Sequence, residues 1–261
     1  MENLIQLTER ILQIPIKASQ HAKDVDTFIV YVHYLMAVLF LGWGAYFLFA
    51  LLRFRKSVHP KADYHGVQSH ASSWIEGAVA LIEAVLLLGF AIPLWAKVVD
   101  QFPAEKDATV VHIAAQQFAW NIRYPGADGV FGKQDMKFVT GENQLGVDPK
   151  DPRAKDDIQT LNELHVPVNK PVIVQLTSKD VIHSFKIIAQ RVCQDAIPGM
   201  SIPVWFKPIM EGKYQINCAQ LCGIGHANMA QGFLFVESQD KFDKWLADKA
   251  KTAGSSATSF E

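Results

Sequence analysis

The chain is short of most features that mark the familiar classes of soluble enzyme. It carries three cysteines in 261 residues, too few for a disulfide framework. It has no phosphate-binding Gly loop and no internal repeat. Its charge is almost balanced, 25 Lys and Arg against 26 Asp and Glu, a net of −1. Such a chain sets up no long-range field for a polyanion, so nucleic acid is set aside as a partner. The opening MENLIQLTERILQIPIKASQ lacks the cationic end, apolar run and small-residue cleavage site of a secretory signal. What it has is Leu4, Leu7, Ile11, Leu12 and Ile14 at helical spacing. That spacing predicts an amphipathic segment over 1–27, lying either on a membrane surface or against a partner.

Charge is also missing locally. Phe28 to Leu52 is a run of 25 residues without Asp, Glu, Lys or Arg. About 20 apolar residues suffice to span a bilayer. Trp74 to Ala96 is a second such run, interrupted by Glu76 and Glu83. Between them RFRKSVHPK carries Arg53, Arg55, Lys56 and Lys61 and no acid, which places that loop in the cytoplasm by the positive-inside rule. A two-helix hairpin over 28–97 follows, with both termini on the other side. The 49% hydrophobic content is thus an average over two solvents.

Beyond Pro103 the pattern becomes that of short strands. TVVHIAAQQFAWNIRYPG, LHVPVNKPVIVQL, VIHSFKI, IPVWFKP, KYQIN and GFLFVES are rich in β-branched and aromatic residues and divided by Gly, Pro and Asn. They predict a β-sandwich over 98–252. Residues 126–163 are Gly-, Asp- and Pro-rich and are expected as long exposed loops with one hairpin. SQDKFDKWLADKA puts Phe242, Trp245 and Leu246 on one face of a last helix, before a polar tail over 253–261.

The chemistry concentrates in CAQLCGIGHANM, residues 218–229, which offers Cys218, Cys222, His226 and Met229. Thiolate, imidazole and thioether are the donors that soft, redox-active copper prefers. One Cys, two His and a weak Met would make a mononuclear blue-copper site. The additional Cys218 changes the stoichiometry, because two thiolates four residues apart can each bridge two metal ions. Such a pair needs a second imidazole. His183, 35 residues before Cys218 in VIHSF, is the best placed, at a predicted strand end. His112 and His165 lie in strand patterns with no partner motif, and His33, His59, His65 and His70 lie in or beside the spans. Structural zinc would leave Met229 unused. Cysteine catalysis has no place for a Met three residues after the His. A Cys218–Cys222 disulfide remains open for the metal-free chain.

At these residues the chain resembles subunit II of the haem–copper oxidases, the cytochrome c oxidase family. The likeness runs from Phe28 to about Glu237 and rests on two spans, an upstream His and C-x-x-x-C-x-x-x-H-x-x-M. It implies a membrane-anchored all-β chain: a two-helix transmembrane hairpin followed by a cupredoxin-like β-sandwich, with short terminal helices. It implies a binuclear copper A centre held by His183, Cys218, Cys222, His226 and Met229 and by the backbone carbonyl of Gln220. DAIPG, Asp195 to Gly199, matches a family segment near that centre. Electrons would come from cytochrome c and leave, past the imidazole of His226, to haem in subunit I. There, with copper B, oxygen is reduced and protons are pumped. Subunit III is a further implied partner. The implied location is a bacterial inner (cytoplasmic) membrane, with the copper domain periplasmic. Glu76, 17 positions before Pro93, matches the family Glu at the mouth of a proton-uptake pathway.

Three positions depart from the family pattern. Gln220 stands where a Glu usually helps hold Mg²⁺ or Mn²⁺ at the subunit interface, so that metal is not carried over. The family's electron-accepting Trp falls at Phe118 in QQFAW, with Trp120 the next aromatic, and both are candidates for taking up electrons. Met200 replaces a common Arg after DAIPG. From residue 100 onward there are 19 acids and 17 bases, too even for strong steering of a basic donor. Asp128, Asp135, Glu142, Asp148, Asp151, Asp156 and Asp157 are expected on a solvated loop surface. Glu83 and Cys193 receive no role. A nitric oxide reductase subunit is an alternative, and a membrane-anchored copper carrier or assembly protein is another from a different class. A quinol-oxidase subunit is disfavoured, because that branch lacks the copper ligands.

Overall fold

The computed structural model describes residues 2–61, 64–66, 68–141 and 143–257. The chain divides into two compact units. One comprises the residues up to Ile14 with Asp24–Asp100, the other Pro15–Lys23 with the chain from Gln101 onward.

In the first unit, α1 spans Glu2–Ile11 and α2 spans Ala22–Arg53. The second apolar helix runs Ala71–Val99 as α3 (Ala71–Leu86), a π turn (Leu87–Ala91) and α4 (Ile92–Val99). Each long helix contains an 18-residue stretch with a mean hydropathy of 2.2 and is long and apolar enough to cross a membrane. Their apolar side chains point outward on all sides, as Val38, Phe40 and Leu41 do on α2 and Ile82, Leu87 and Leu88 on the second helix. A helix apolar all round needs a non-aqueous surrounding. Each extends past the uncharged run expected for it. On α2, Asp24 in the first turn and Arg53 in the last complement the helix dipole. The π turn has a local cause. Pro93 has no N–H to offer the carbonyl four residues back, and just before it Ile92 bonds instead to Leu87, five back.

The second unit is a sandwich of two five-stranded sheets. Its strands are β1 (Thr109–Gln116), β2 (Ala119–Tyr124), β3 (Ile158–Leu161), β4 (Glu163–Pro167), β5 (Val172–Ser178), β6 (His183–Ile187), β7 (Val192–Ala196), β8 (Ile202–Phe206), β9 (Gly212–Cys218) and β10 (Gly232–Glu237). One sheet has the order β3-β2-β1-β5-β8, the other β4-β10-β9-β6-β7. β1 pairs with β5, and β4 with β10, in parallel; the remaining pairs are antiparallel. Inward side chains alternate along the strands, so Val111, Ile113, Trp120, Ile122, Leu164, Leu176, Phe185 and Leu234 meet in one core. Full burial of each aliphatic side chain contributes about 1.5–3 kcal/mol. α5, Gln239–Ala257, closes one end: Phe242 is buried, and Trp245 stacks on His165 at 4.1 Å. His165 also meets Glu237 at 2.9 Å, so this histidine without a partner motif serves the packing of the sandwich end.

Three features differ from expectation. TVVHIAAQQFAWNIRYPG is a hairpin, reversed at Gln117–Phe118 without Gly, Pro or Asn. The expected amphipathic segment 1–27 divides after Ile14, and Pro15–Lys23 belongs to the sandwich. There Ala18 N–H bonds the Ala189 carbonyl (2.9 Å), and Ile209 N–H bonds that of Ala18 (2.8 Å). Gln20 N–H bonds the Lys207 carbonyl (2.9 Å), and the Ser19 hydroxyl bonds that of Gln190 (2.7 Å). Two of the loop acids, Asp151 and Asp157, are buried and not part of a solvated surface. Asp157 forms a buried ion pair with Arg123, which also donates to the Gly132 carbonyl at 2.8 Å. Asp151 is buried and accepts from Lys133 N–H at 2.9 Å. Asp128, Asp135 and Asp148 each accept the backbone N–H two residues on, closing Asx turns. Glu142 lies outside the described residues.

The buried ion pair and the β1 face beside it can each be tested by stability. Asp157→Ala leaves Arg123 buried and uncompensated and should cost about 3–5 kcal/mol in denaturant unfolding. His112 stacks on Phe131 at 3.7 Å, and burial, with the Arg123 cation beside it, lowers its pKa from 6.5 to about 4. Between those values the unfolded chain binds a proton that the folded chain refuses. Stability is therefore full above about pH 6.5 and falls toward pH 4; His112→Gln should flatten that slope in urea titrations at pH 7 and pH 5.

Candidate metal centre

The end of the sandwich where β6 begins and β9 stops gathers the soft donors. His183 is the first residue of β6 and Cys218 the last of β9. β6 and β9 are neighbours, with Phe185 opposite Cys218. The ligand loop leaves β9 at Cys218, passes Cys222, and returns to β10 through a 3-10 turn, His226–Gln231, that carries His226 and Met229. Sheet pairing thus delivers an imidazole that the loop itself lacks.

The donor atoms of His183, Cys218 and Cys222 all lie within 4.8 Å of one another. The two sulfurs are 4.0 Å apart, far beyond the S–S bond length of about 2.0 Å, and both thiols are free. His183 Nδ1 is 3.1 Å from Met229 Sδ and 3.9 Å from Cys218 Sγ. His226 Nδ1 is 3.3 Å from Cys222 Sγ, and the Gln220 carbonyl oxygen is 3.0 Å from Cys218 Sγ. Met229 Sδ is 3.5 Å from Cys222 Sγ. The thiols therefore form a centre strip, with His183 and Met229 paired at one side. All six donors expected from the sequence come to one place. Their thiolate, imidazole and thioether chemistry fits copper, and the imidazoles present the same ring nitrogen inward. Burial, and then the neighbouring Cys218 sulfur, push the Cys222 thiol up to about 11. A metal entering here must displace that proton.

The other candidates fall elsewhere. Glu76 lies on α3, in the membrane-capable unit, with Glu83 two turns further along the same side. Phe118, at the β1–β2 turn, is half-buried over the ligand loop. A Cβ on Gly225 would lie 2.4 Å from its ring. Trp120 does not share that position. It points from β2 into the core, fully buried, and its ring N–H bonds the Met229 carbonyl at 3.0 Å. It cannot meet a donor protein directly; it holds the turn that carries Met229. Cys193 is exposed on β7, outside the centre.

Two residues beside the centre carry no motif in the sequence, Asp180 and Gln117. Asp180 accepts from His183 Nε2 at 2.9 Å and from Gln117 N–H at 2.7 Å. Burial alone would raise its pKa, but these bonds and one from Val181 N–H hold the carboxyl below its usual range. A carboxylate only accepts, so Nε2 carries the ring proton and Nδ1 is left bare toward the sulfurs. An acid three residues before a candidate His was the available clue.

A membrane-capable helical pair followed by a β-sandwich with a soft-metal site defines a class of anchored redox chains. The family described as cytochrome c oxidase subunit II, periplasmic domain, matches residues 108–235. The alternative cytochrome c oxidase subunit 2 of Bradyrhizobium diazoefficiens is 32% identical over 232 residues, covering 88% of this chain and 82% of that one. The cytochrome c oxidase subunit 2 of Cereibacter sphaeroides is 30% identical over 211 residues, covering 76% and 67%. The crystal structure of the periplasmic domain of subunit II of cytochrome oxidase from Bradyrhizobium japonicum shares 32% identity, with a TM-score of 0.41 over 55% of this chain and 94% of that one. The chain belongs to the cytochrome c oxidase subunit II family. It is a membrane-anchored electron-transfer subunit with a cupredoxin-like periplasmic domain.

Trp120→Phe deletes the bond to the Met229 carbonyl, which also accepts from the Gly232 N–H. The metal-free protein should lose about 1 kcal/mol in denaturant unfolding.

Proposed function

We propose that the chain takes electrons from cytochrome c at a binuclear copper A centre and passes them to haem in subunit I. The observation that carries this reading is the pair of free thiols 4.0 Å apart with an imidazole at each side. His183, Met229, His226 and the Gln220 carbonyl, together with the two sulfurs, would hold the metal pair. The bound pair supplies a one-electron couple whose charge is shared between two ions. The protein's part is to hold the donors still. His183 and Cys218 sit on paired strands, Met229 is tethered through Trp120, and the loop is pinned against the β1–β2 turn. A donor set that moves little keeps reorganisation small when the charge changes.

Donor contact is assigned to the exposed apolar rim. Leu221 is 78% exposed in the ligand loop, Ile224 is fully exposed, and Phe118 lies half-buried beside them. Trp120 serves the centre from behind. Glu76, on the second helix, is assigned to proton uptake into subunit I, where haem and copper B carry out the oxygen chemistry. Subunit III completes the complex. In this arrangement the hairpin crosses a bacterial inner membrane and both termini lie outside the cytoplasm. Gln220 offers no carboxylate, so an interface Mg²⁺ or Mn²⁺ is not assigned.

The test is metal and haem analysis of the intact complex. Two coppers for each copy of this chain and a mixed-valence spectrum are expected beyond the copper of subunit I. One copper, or zinc alone, defeats the reading. Cys218→Ser should abolish the mixed-valence spectrum and stop oxidation of cytochrome c. Glu76→Gln should slow turnover with copper content unchanged. Consumption of nitric oxide in place of oxygen would move the chain to a nitric oxide reductase, and purification without a haem-bearing partner would favour a copper carrier.

A further inference from the structure

Resting on the reading of the centre as binuclear copper, we propose that Gln117 is its positioning residue, fastening the upstream imidazole and the cysteine loop into one geometry. Gln117 and Phe118 form the whole connection between β1 and β2, whose last pair is Gln116 and Ala119. Neither residue type favours a two-residue turn. What they do instead is reach outward from it. The Gln117 backbone N–H donates to Asp180 Oδ2 at 2.7 Å, and Asp180 Oδ1 accepts from His183 Nε2 at 2.9 Å. The Gln117 side-chain amide donates to the Cys222 carbonyl at 2.7 Å. One residue therefore bonds to segments 63 and 105 positions away along the chain. Through Asp180 it fixes the ring orientation and tautomer of His183. Through the carbonyl it fixes the backbone that aims the Cys222 sulfur.

The ligand loop is cut to receive this turn. A Cβ on Gly223 would lie 2.8 Å from the Gln117 amide nitrogen and 3.1 Å from the Phe118 ring. Gly223 also has φ +138, in the region that favours glycine. At Gly225 a Cβ would meet Phe118 ring atoms at 2.4, 2.6 and 2.9 Å. The two glycines of Cys-Gly-Ile-Gly-His are thus the socket for Gln117 and Phe118. Without the side-chain bond, the Cys222 sulfur would lose the fixed backbone that aims it at its partner, while the Gln117 N–H would still hold Asp180 against the buried His183. Outer contacts of this kind commonly change metal affinity about 10-fold to 100-fold.

The experiment uses the full chain in its oxidase complex, with copper bound. Gln117→Met keeps the length of the side chain and removes its donor. Gly225→Ala leaves the amide intact and displaces Phe118. Gln134→Met removes an exposed amide-to-carbonyl bond of the same kind, to Leu145, far along the chain from the ligands. Wild type and Gln134→Met should show the same mixed-valence spectrum and the same rate of copper loss to a chelator. Gln117→Met and Gly225→Ala should still fold and bind two coppers, with an altered spectrum and copper lost about 10 times faster or more. A Gln117→Met centre with unchanged spectrum and release rate overturns the positioning role alone. A wild-type centre without paired copper overturns the functional reading instead. Should Gln117→Met not accumulate, Gln117→Glu answers the same question, because its ionised carboxylate cannot donate to the Cys222 carbonyl.

Discussion

Everything at the working end of this protein depends on two sulfur atoms being held close without bonding. At 4.0 Å the thiols of Cys218 and Cys222 touch without being bonded, near enough to serve one soft-metal site. A loop of this length does not hold that separation by itself. Cys218 is anchored because it still belongs to β9, and Cys222 because the loop is pressed between the core and the β1–β2 turn. The sandwich acts here as a frame that keeps donors apart as much as it brings them together.

The centre also shows how a buried site is built from unequal supports. His183 is fully buried and oriented by Asp180, whereas Met229 is held indirectly, through its carbonyl and the Trp120 ring N–H. His226 is only half-buried on the returning turn. The best-fixed imidazole therefore lies at the core side and the less enclosed one toward the surface.

Much of this was legible in residues, and the illegible parts share a physical cause. The spans were plain because a run of 25 uncharged positions is too long and too apolar to face water. The donors were plain because Cys, His and Met within twelve positions are chemically distinctive. Their partners were not. Asp180 and Gln117 are ordinary polar residues whose roles exist only after β1, β2 and β6 converge. Trp120 looked like the neighbour of Phe118, but a turn residue faces the loop while the strand residue two places on faces the core. The loop acids looked like surface charge because composition does not reveal that Asp157 meets Arg123 in the interior or that Asp151 caps a turn. The reversal at Gln117–Phe118 carried no turn residue, because the sequence there serves the ligand loop and not the bend.

The stretch Pro15–Lys23 has a consequence for how the molecule is made. Its backbone bonds to Ala189, Lys207 and Ile209, so the sandwich is closed by a piece of chain synthesised before either long apolar helix. The Ser19–Gln190 bond spans 171 positions. The ribosome releases the clasp first and its seat last, with the whole membrane hairpin between them. Until that loop closes, the carbonyls of Ala189, Gln190 and Lys207 have only water to bond, and the entropy of closure is owed in full. The sandwich is thus completed by segments from both sides of the apolar helical pair in the sequence, and it cannot close until both have been made.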